Sequence, residues 1–196
     1  MADPTATHLG DPRALRAYAH PTRLALVAAL RRDGPMTATR AATLVGESVA
    51  SCSFHLRQLA KYGLVEEAGG GRGREKPWRA TALVTHWDGD HDDPTTRAAA
   101  TALNIAVAER YAALMAAWLR TRPQEDPAWR AAAQFGDTVV PLTAAELAHL
   151  GARIEELIHP YLRRLTDPST RPADARPVAL LHVAFPSDRL DHPPTP

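Results

Sequence analysis

The chain is poor in cysteine and has no long apolar run. Cys52 is the one cysteine among 196 residues, which excludes an internal disulfide and is typical of a reducing compartment. No apolar run approaches the roughly 20 residues that a membrane-spanning helix needs. The first residues also lack the basic start and apolar core of a secretory signal. We therefore expect a cytoplasmic protein without a membrane segment.

Sequence signatures of catalysis are also missing. The nine histidines are scattered, and neither a nucleophile elbow nor a cysteine–histidine pair is suggested by spacing. Asp88 and Asp90 are close carboxylates, but their polar stretch lacks the apolar surroundings of a general acid or base. The glycines of 69–73 are not followed by the Gly-Lys-Ser/Thr of a phosphate-binding loop. We expect no enzymatic activity and no cofactor.

Charge is unevenly distributed along the chain, although the net charge is only +1. Residues 13–80 contain twelve Arg and Lys residues and five acidic residues, so this segment carries +7 and the remainder −6. A basic segment joined to an acidic remainder predicts a polyanion-binding module beside a domain with a different partner. A solvated, arginine-rich helix face is the alternative explanation.

Four short helices and a hairpin are predicted in the first 80 residues. Helix start signals occur at Asp11-Pro12, His20-Pro21, Thr37 and Ser48. Two short strands are expected at 64–67 and 77–80, on either side of a glycine-rich, basic tip. Short helices followed by a basic hairpin are typical of a winged helix-turn-helix domain.

The remainder is predicted to be mainly helical. A long helix should run from Pro94 to about Arg122, and a second should run from the capping box at Thr143 and Glu146 to about Leu165. Candidate strands lie at 138–140 and 177–185. The expected fold is mostly α with small β. It comprises a winged helix-turn-helix domain at 1–85, a polar linker at 86–93, and a helical C-terminal α+β region at 94–196.

The helix predicted to begin at Ser48 has two different faces. Its core face is formed by Cys52, Leu56 and Leu59. The other face carries Val49, Ser53 and Arg57 at four-residue steps, with Ser51 and Phe54 beside them. Small hydroxyl side chains would let this helix enter the major groove and donate to phosphates or bases, whereas Arg57 and Lys61 would reach the DNA backbone. The alternatives are serines without a role, a His55 that only packs, and a Phe54 that packs on the hairpin or on a base methyl group.

This region resembles the ArsR-type winged-helix regulators. The run Ser-x-x-Ser-x-Ser-x-His-Leu-x-x-Leu-x-x-x-Gly-Leu-Val begins at Ser48, and His20-Pro21-Thr22-Arg23-Leu24 precedes it. The resemblance covers about residues 13–82 and implies a homodimer that binds a near-palindromic operator and usually represses transcription. The residues that it places on the DNA-reading helix are Val49, Ala50, Ser51, Ser53, Phe54, His55 and Arg57.

The basic hairpin tip supplies further candidate DNA contacts. Narrow, A/T-rich minor grooves attract inserted arginines, so Arg72 or Arg74 is expected to enter the groove that flanks the recognition helix. Contact with phosphates alone, or no contact, is the alternative. Lys76 in the hairpin and Ser48 at the helix start complete the predicted DNA-binding set.

No metal site is expected. Many members of the resembled family bind thiophilic ions through cysteine pairs before the recognition helix, but residues 37–41 contain no cysteine. The alternative is a hard-ligand Zn²⁺ or Ni²⁺ site formed by His86, Asp88, Asp90, His91, Asp92 and Asp93. A hydrophilic linker with an N-cap at its end is the favoured interpretation of that cluster.

Residues 94–196 are expected to close the homodimer and to form either a small domain that binds a small-molecule effector or an oligomerisation domain. The predicted pocket lies between the helix at 143–165 and the strand at 177–185, because aromatic-lined concavities commonly bind apolar ligands. Its candidate lining is Tyr111, Trp118, Trp129, Tyr161 and Phe185. Ordinary core packing of these rings is the alternative.

The predicted function is therefore sequence-specific binding of double-stranded DNA by a homodimeric regulator, which the resemblance implies is a repressor. A winged-helix module that contacts protein or RNA without an operator is the alternative. An enzyme with a fused DNA-binding domain would need a catalytic constellation in 94–196, and none is evident.

Overall fold

A computed structural model of the chain describes residues 6–70, 76–89 and 91–186. It divides into two compact units, Met1–Ala116 and Ala117–Pro196. Within the described ranges, no helix combines the length and apolar character that a membrane crossing would need. The fold is mostly helical with a small amount of sheet, as predicted.

The first unit begins with four short helices. They are α1 (Pro12–Tyr18), α2 (Pro21–Asp33), α3 (Ala38–Val45) and α4 (Val49–Lys61). Each starts after a side chain that accepts a hydrogen bond from an otherwise unpaired backbone N–H of the first turn; the capping residues are Asp11, His20, Thr37 and Ser48. The four predicted helix starts are therefore confirmed.

A tight turn joins α3 to α4. Gly46 ends α3 with φ of +73°, a left-handed conformation that glycine adopts without a steric cost. Its N–H donates to the carbonyl of Ala42 at 3.0 Å, and Ser48 begins the next cap two residues later. Two helices joined by so short a connection form a helix-turn-helix.

Short strands follow α4 and also precede α1. Strand β2 (Val65–Glu67) pairs antiparallel with β3 (Trp78–Ala80), which confirms the predicted hairpin. On its other side, Trp78 exchanges two backbone hydrogen bonds with Met36. Strands β1 (Ala6–His8) and β4 (Val84–His86) form a parallel pair that the sequence did not predict. The hairpin is thus tied both to α4 and to the segment just before α3.

The first unit has one apolar core, and helix α5 (Pro94–Thr121) contributes to it. Ala99, Ala100 and Leu103 of α5 are buried in the same cluster as the inner side chains of α1 to α4. Trp87 packs against that cluster, and its indole N–H donates to Asn104 at 2.8 Å. Residues 86–93 therefore do not separate the two units, in contrast to the predicted linker, because both their flanks are packed in the first unit.

The second unit contains the end of α5, then α6 (Pro127–Ala132) and α7 (Ala144–Thr166). The predicted capping box is confirmed: Thr143 Oγ1 accepts from the Glu146 N–H at 3.2 Å, and the Glu146 carboxylate accepts from the Thr143 N–H at 2.7 Å. The prediction of strands at 138–140 and 177–185 is wrong, since residues 117–186 contain no strand. Apolar side chains such as Val178 and Phe185 are exposed there, and no neighbouring strand supplies backbone partners.

Replacing Leu103 tests whether α5 belongs to the first unit's core. Leu103 is fully buried, so Leu103→Ala should lower the free energy of unfolding by about 2–5 kcal/mol, the usual cost of a buried cavity. Leu114→Ala on the same helix is the matched control, because Leu114 is 43% exposed and should lose less than about half as much. Chemical denaturation of both variants measures the difference. Equal losses would contradict the placement of α5.

Candidate nucleic-acid interface

Helix α4 is held in place by one buried stripe. Cys52, Leu56 and Leu59 have no exposed surface, which confirms the predicted core face. Burial raises the pKa of the Cys52 thiol, which disfavours the reactive thiolate. The core face of α4 therefore leaves the opposite face of the helix turned to solvent.

The solvent face of α4 holds most of the predicted DNA-binding residues. Ala50, Phe54, Arg57 and Lys61 are exposed along it, and Phe54 retains half of its surface. Ser51 and Ser53 are half-buried on the flanks. Arg57 makes no ion pair within the part of the chain that the structure describes.

A groove of about 390 Å³ lies between α4 and the hairpin. Its lining comes from three elements: Thr37, Ala38 and Thr39 at the start of α3, Val49, Ser53 and Arg57 of α4, and Glu67, Lys76 and Trp78 of the hairpin. The groove thus brings together four predicted residues, Val49, Ser53, Arg57 and Lys76. Trp78, Glu67 and the two threonines at the start of α3 were not predicted to lie here.

The hairpin carries ion pairs on two sides. Lys76 Nζ lies 3.0 Å from the Glu67 carboxylate on the side that lines the groove. Arg79 lies 2.8 Å from Glu66, at the neighbouring strand positions that point away from the groove side. All four side chains are about half or more exposed, so each pair contributes little to stability and can open toward a stronger anion. Arg72 and Arg74 lie outside the described residues.

His55 lies between the solvent face and the core. Its ring packs against His20 at a tilt of 38°, with centroids 4.5 Å apart, and meets Phe54 edge-on at 5.3 Å. Its buried Nδ1 has no hydrogen-bond partner among the described residues. Burial lowers the pKa of His55, and the nearby His20 and Arg23 charges lower it further, against a smaller opposing effect of Glu47. The neutral ring is therefore the form that fits this site.

The cluster at 86–93 is used for capping and backbone contacts. Asp93 accepts from the Thr96 N–H at 2.8 Å and from its hydroxyl at 2.6 Å, and these hydrogen bonds lower the pKa of the carboxyl. Asp93 is thus the predicted N-cap of α5. Among described residues, no three His, Cys, Asp or Glu side chains are arranged to hold a metal ion, and Asp90 lies outside that set.

The five aromatic residues of the predicted effector pocket are dispersed. Tyr111 belongs to the first unit, where it is half-buried. In the second unit each of three rings is covered by an arginine: Trp118 by Arg122, Trp129 by Arg176 and Tyr161 by Arg164. Phe185 is 60% exposed, and no ring–ring contact joins any two of these four residues in the described part of that unit. The effector pocket stays a prediction.

Acid should weaken the fold through His20 and His55. His20 Nδ1 accepts the Thr22 N–H as the cap of α2, which protonation would prevent, and burial lowers the pKa values of both His20 and His55 below 6.5. As pH falls below about 6.5, the unfolded chain therefore binds more protons at these two histidines than the folded chain does. The stability that the neutral histidines provide is present above that pH and is lost below it.

Thermal unfolding at pH 7.5 and 5.5 measures this loss. The double variant His20→Asn/His55→Gln keeps a capping side chain at position 20 but removes both titrations, so its Tm should fall less on acidification than the wild-type Tm. Gln58→Ala alters α4 without removing a titratable group and should keep the wild-type dependence. Identical pH profiles for the wild type and the double variant would exclude the histidines as the cause.

Residues 18–68 match a family model described as a helix-turn-helix domain. The match begins at the end of α1, contains α2, α3 and α4, and ends just after β2. No curated protein matches the chain. The chain therefore carries a helix-turn-helix domain whose second helix is α4. The presence of this domain supports a general role as a DNA-binding regulator.

Proposed function

We propose that the chain is a sequence-specific DNA-binding transcriptional regulator that reads the major groove with α4 and uses the β2–β3 hairpin as a wing. The observation that carries the proposal is the groove between these two elements. It joins Arg57, which has no ion pair among the described residues, to the hairpin lysine Lys76 on one continuous surface. Such a surface suits a curved, negatively charged backbone that enters between a helix and a wing.

The dimensions of α4 fit this role. Its 13 residues give a length of about 20 Å. Near the N-terminus of α4, the side chains on the solvent face are short enough to let the helix approach base edges. Arg57 and Lys61 lie farther along the helix, where phosphates flank the groove. The first turns of α4 would therefore contact bases, and its later turns would contact the DNA backbone.

The finer assignment to an ArsR-type repressor rests on the resemblance of the run from Ser48 to Val65. The structure gives several of its positions a physical role: Ser48 caps α4, Leu56 and Leu59 fill the core, and Gly63 has φ of +69° where the chain turns into β2. The exposed positions among them, such as Ala50 and Phe54, would face the operator. The proposal assigns the chain no catalytic role.

A homodimer is part of the proposal, and α5 offers a surface for it. Besides its buried face, α5 has a second stripe of small or apolar side chains in the first unit, all exposed: Ala98, Thr101, Ile105, Ala108, Ala112 and Met115. Their alternating steps of three and four residues are the spacing of a coiled-coil seam. A second copy of the same helix would cover this stripe and set two α4 helices about one DNA turn, roughly 34 Å, apart.

For the second unit the proposed role is effector binding or further oligomerisation. Its support is the number of large apolar side chains that stay exposed on α7 and beyond it, including Leu157 at 69% and Val183 at 64%. The surface of a soluble monomeric protein rarely exposes so many large apolar side chains unless a partner covers them. An effector would alter DNA affinity only if it binds the DNA-competent state and its alternative unequally.

Arg57 should contribute to DNA affinity through a phosphate. Arg57→Ala is expected to weaken binding to a duplex selected from random sequences by about tenfold and to reduce the slope of log affinity against log salt by about 1. Arg79→Ala removes the same charge from the Glu66 pair outside the groove and is the matched control, with less than about a twofold effect. Fluorescence anisotropy at several salt concentrations measures both.

Two outcomes would count against this prediction. Equal losses for Arg57→Ala and Arg79→Ala would show that only overall charge matters. Folded protein that enriches no duplex sequence would instead favour the alternative of a winged helix that contacts protein or RNA.

The α5 stripe should control the oligomeric state. Ala112→Glu places a charge in the proposed seam and is expected to convert a dimer to a monomer at micromolar concentration. Ala113→Glu makes the same change one residue later, at an exposed position about 100° around the helix, and should leave the dimer intact. Sedimentation velocity distinguishes them. A wild-type monomer, or dimers for both variants, would remove α5 as the interface.

A further inference from the structure

We propose that Phe54 is a specificity-determining residue that recognises the C5 methyl group of a pyrimidine, foremost thymine, in the major groove. The inference rests on the proposed function and names a chemical feature of the operator. Phe54 is a large aromatic side chain with half of its surface exposed, on the face of α4 opposite the core stripe.

The neighbours of Phe54 indicate that this face is a contact surface. Ala50 lies one turn before it, and Arg57 and Lys61 lie one and two turns after it, all exposed. The two cations would hold α4 against phosphates, and Phe54 would then be the largest side chain directed at the groove floor. A single exposed phenylalanine elsewhere on the surface would not indicate a binding site. Phe54 lies among the cations of α4, so it would be directed at DNA whenever those cations contact phosphates.

The ring of Phe54 is supported from behind. Its neighbour His55 meets it edge-on at 5.3 Å, with an interplanar angle of 72°, and His55 in turn packs against His20 at 4.5 Å. His20 is fixed as the N-cap of α2. This row of three rings links the solvent face of α4 to the start of α2, so part of the entropic cost of ordering Phe54 at a base is already met in the folded protein.

The chemistry of base edges leaves Phe54 one favourable partner. Base edges in the major groove present hydrogen-bond donors, acceptors and the thymine methyl group. A phenyl ring can satisfy no donor or acceptor and would desolvate any that it covers, whereas contact with a methyl group removes apolar surface from water on both sides. Cytosine lacks this methyl group and 5-methylcytosine has it, so both methylated pyrimidines share the recognised feature.

Uracil substitution tests the proposal, because uracil differs from thymine only by the missing methyl group. A preferred duplex is first selected from random sequences, and each thymine is then replaced by uracil in turn. Wild-type protein should bind about three- to tenfold more weakly when one particular thymine per half-site is replaced. Phe54→Ala should bind the thymine and uracil duplexes equally.

Leu44→Ala is the control for that variant. Leu44 is 45% exposed but lies on α3 and does not line the groove, so its loss should leave the thymine-to-uracil ratio unchanged. Circular dichroism verifies that Phe54→Ala retains its helices. A third duplex places 5-methylcytosine at the sensitive position: restored binding relative to cytosine shows that the methyl group suffices, and unrestored binding identifies thymine itself as the ligand.

The failures of the two proposals are distinguishable. Sequence-preferring binding that is insensitive to uracil at every position would overturn the role of Phe54 and leave the regulator intact. A ratio that survives in Phe54→Ala would also overturn it. Absence of any sequence preference would overturn the proposed function as well.

Discussion

Burial of three side chains of α4 is the constraint on which the rest of the interface depends. Cys52, Leu56 and Leu59 are completely removed from solvent, so α4 cannot rotate about its axis without exposing them and burying a cation. The direction of Arg57 and Phe54 is therefore set by residues that never touch a ligand. The cap at Ser48 and the left-handed Gly46 fix the beginning of the same helix, which locates its first turn relative to α3.

Local signals predicted the elements of the first unit well. The caps at Asp11, His20, Thr37 and Ser48 act within three residues of the helix that each begins, so sequence alone reveals them. The parallel pairing of β1 with β4 was missed because it joins three-residue segments far apart in the chain. The strands expected at 138–140 and 177–185 failed for the converse reason: apolar, β-prone residues form a strand only where a partner offers backbone hydrogen bonds.

The site was predictable along α4 and much less so across elements. Helical periodicity alone places Val49, Ser53 and Arg57 on one side, and the groove confirms that they line one surface. Trp78 and Glu67 join them only because the hairpin packs beside α4. The sequence does not indicate the angle between the hairpin and α4. The packing of His55 against His20 likewise depends on how α2 crosses α4, a contact between residues 35 positions apart that no local pattern encodes.

The ion pairs of the first unit also determine how its positive charge reaches a polyanion. Asp33, Glu66 and Glu67 partly neutralise Arg32, Arg79 and Lys76, so these three cations contribute less positive potential than isolated ones would. If a nucleic acid bound at the hairpin, each of these cations would neutralise less phosphate charge and so release fewer of the counterions condensed on the nucleic acid. The positive potential of the first unit is consequently less widespread than the net charge of residues 13–80 suggests. Among the described side chains it is focused along α4, where Arg57 makes no ion pair.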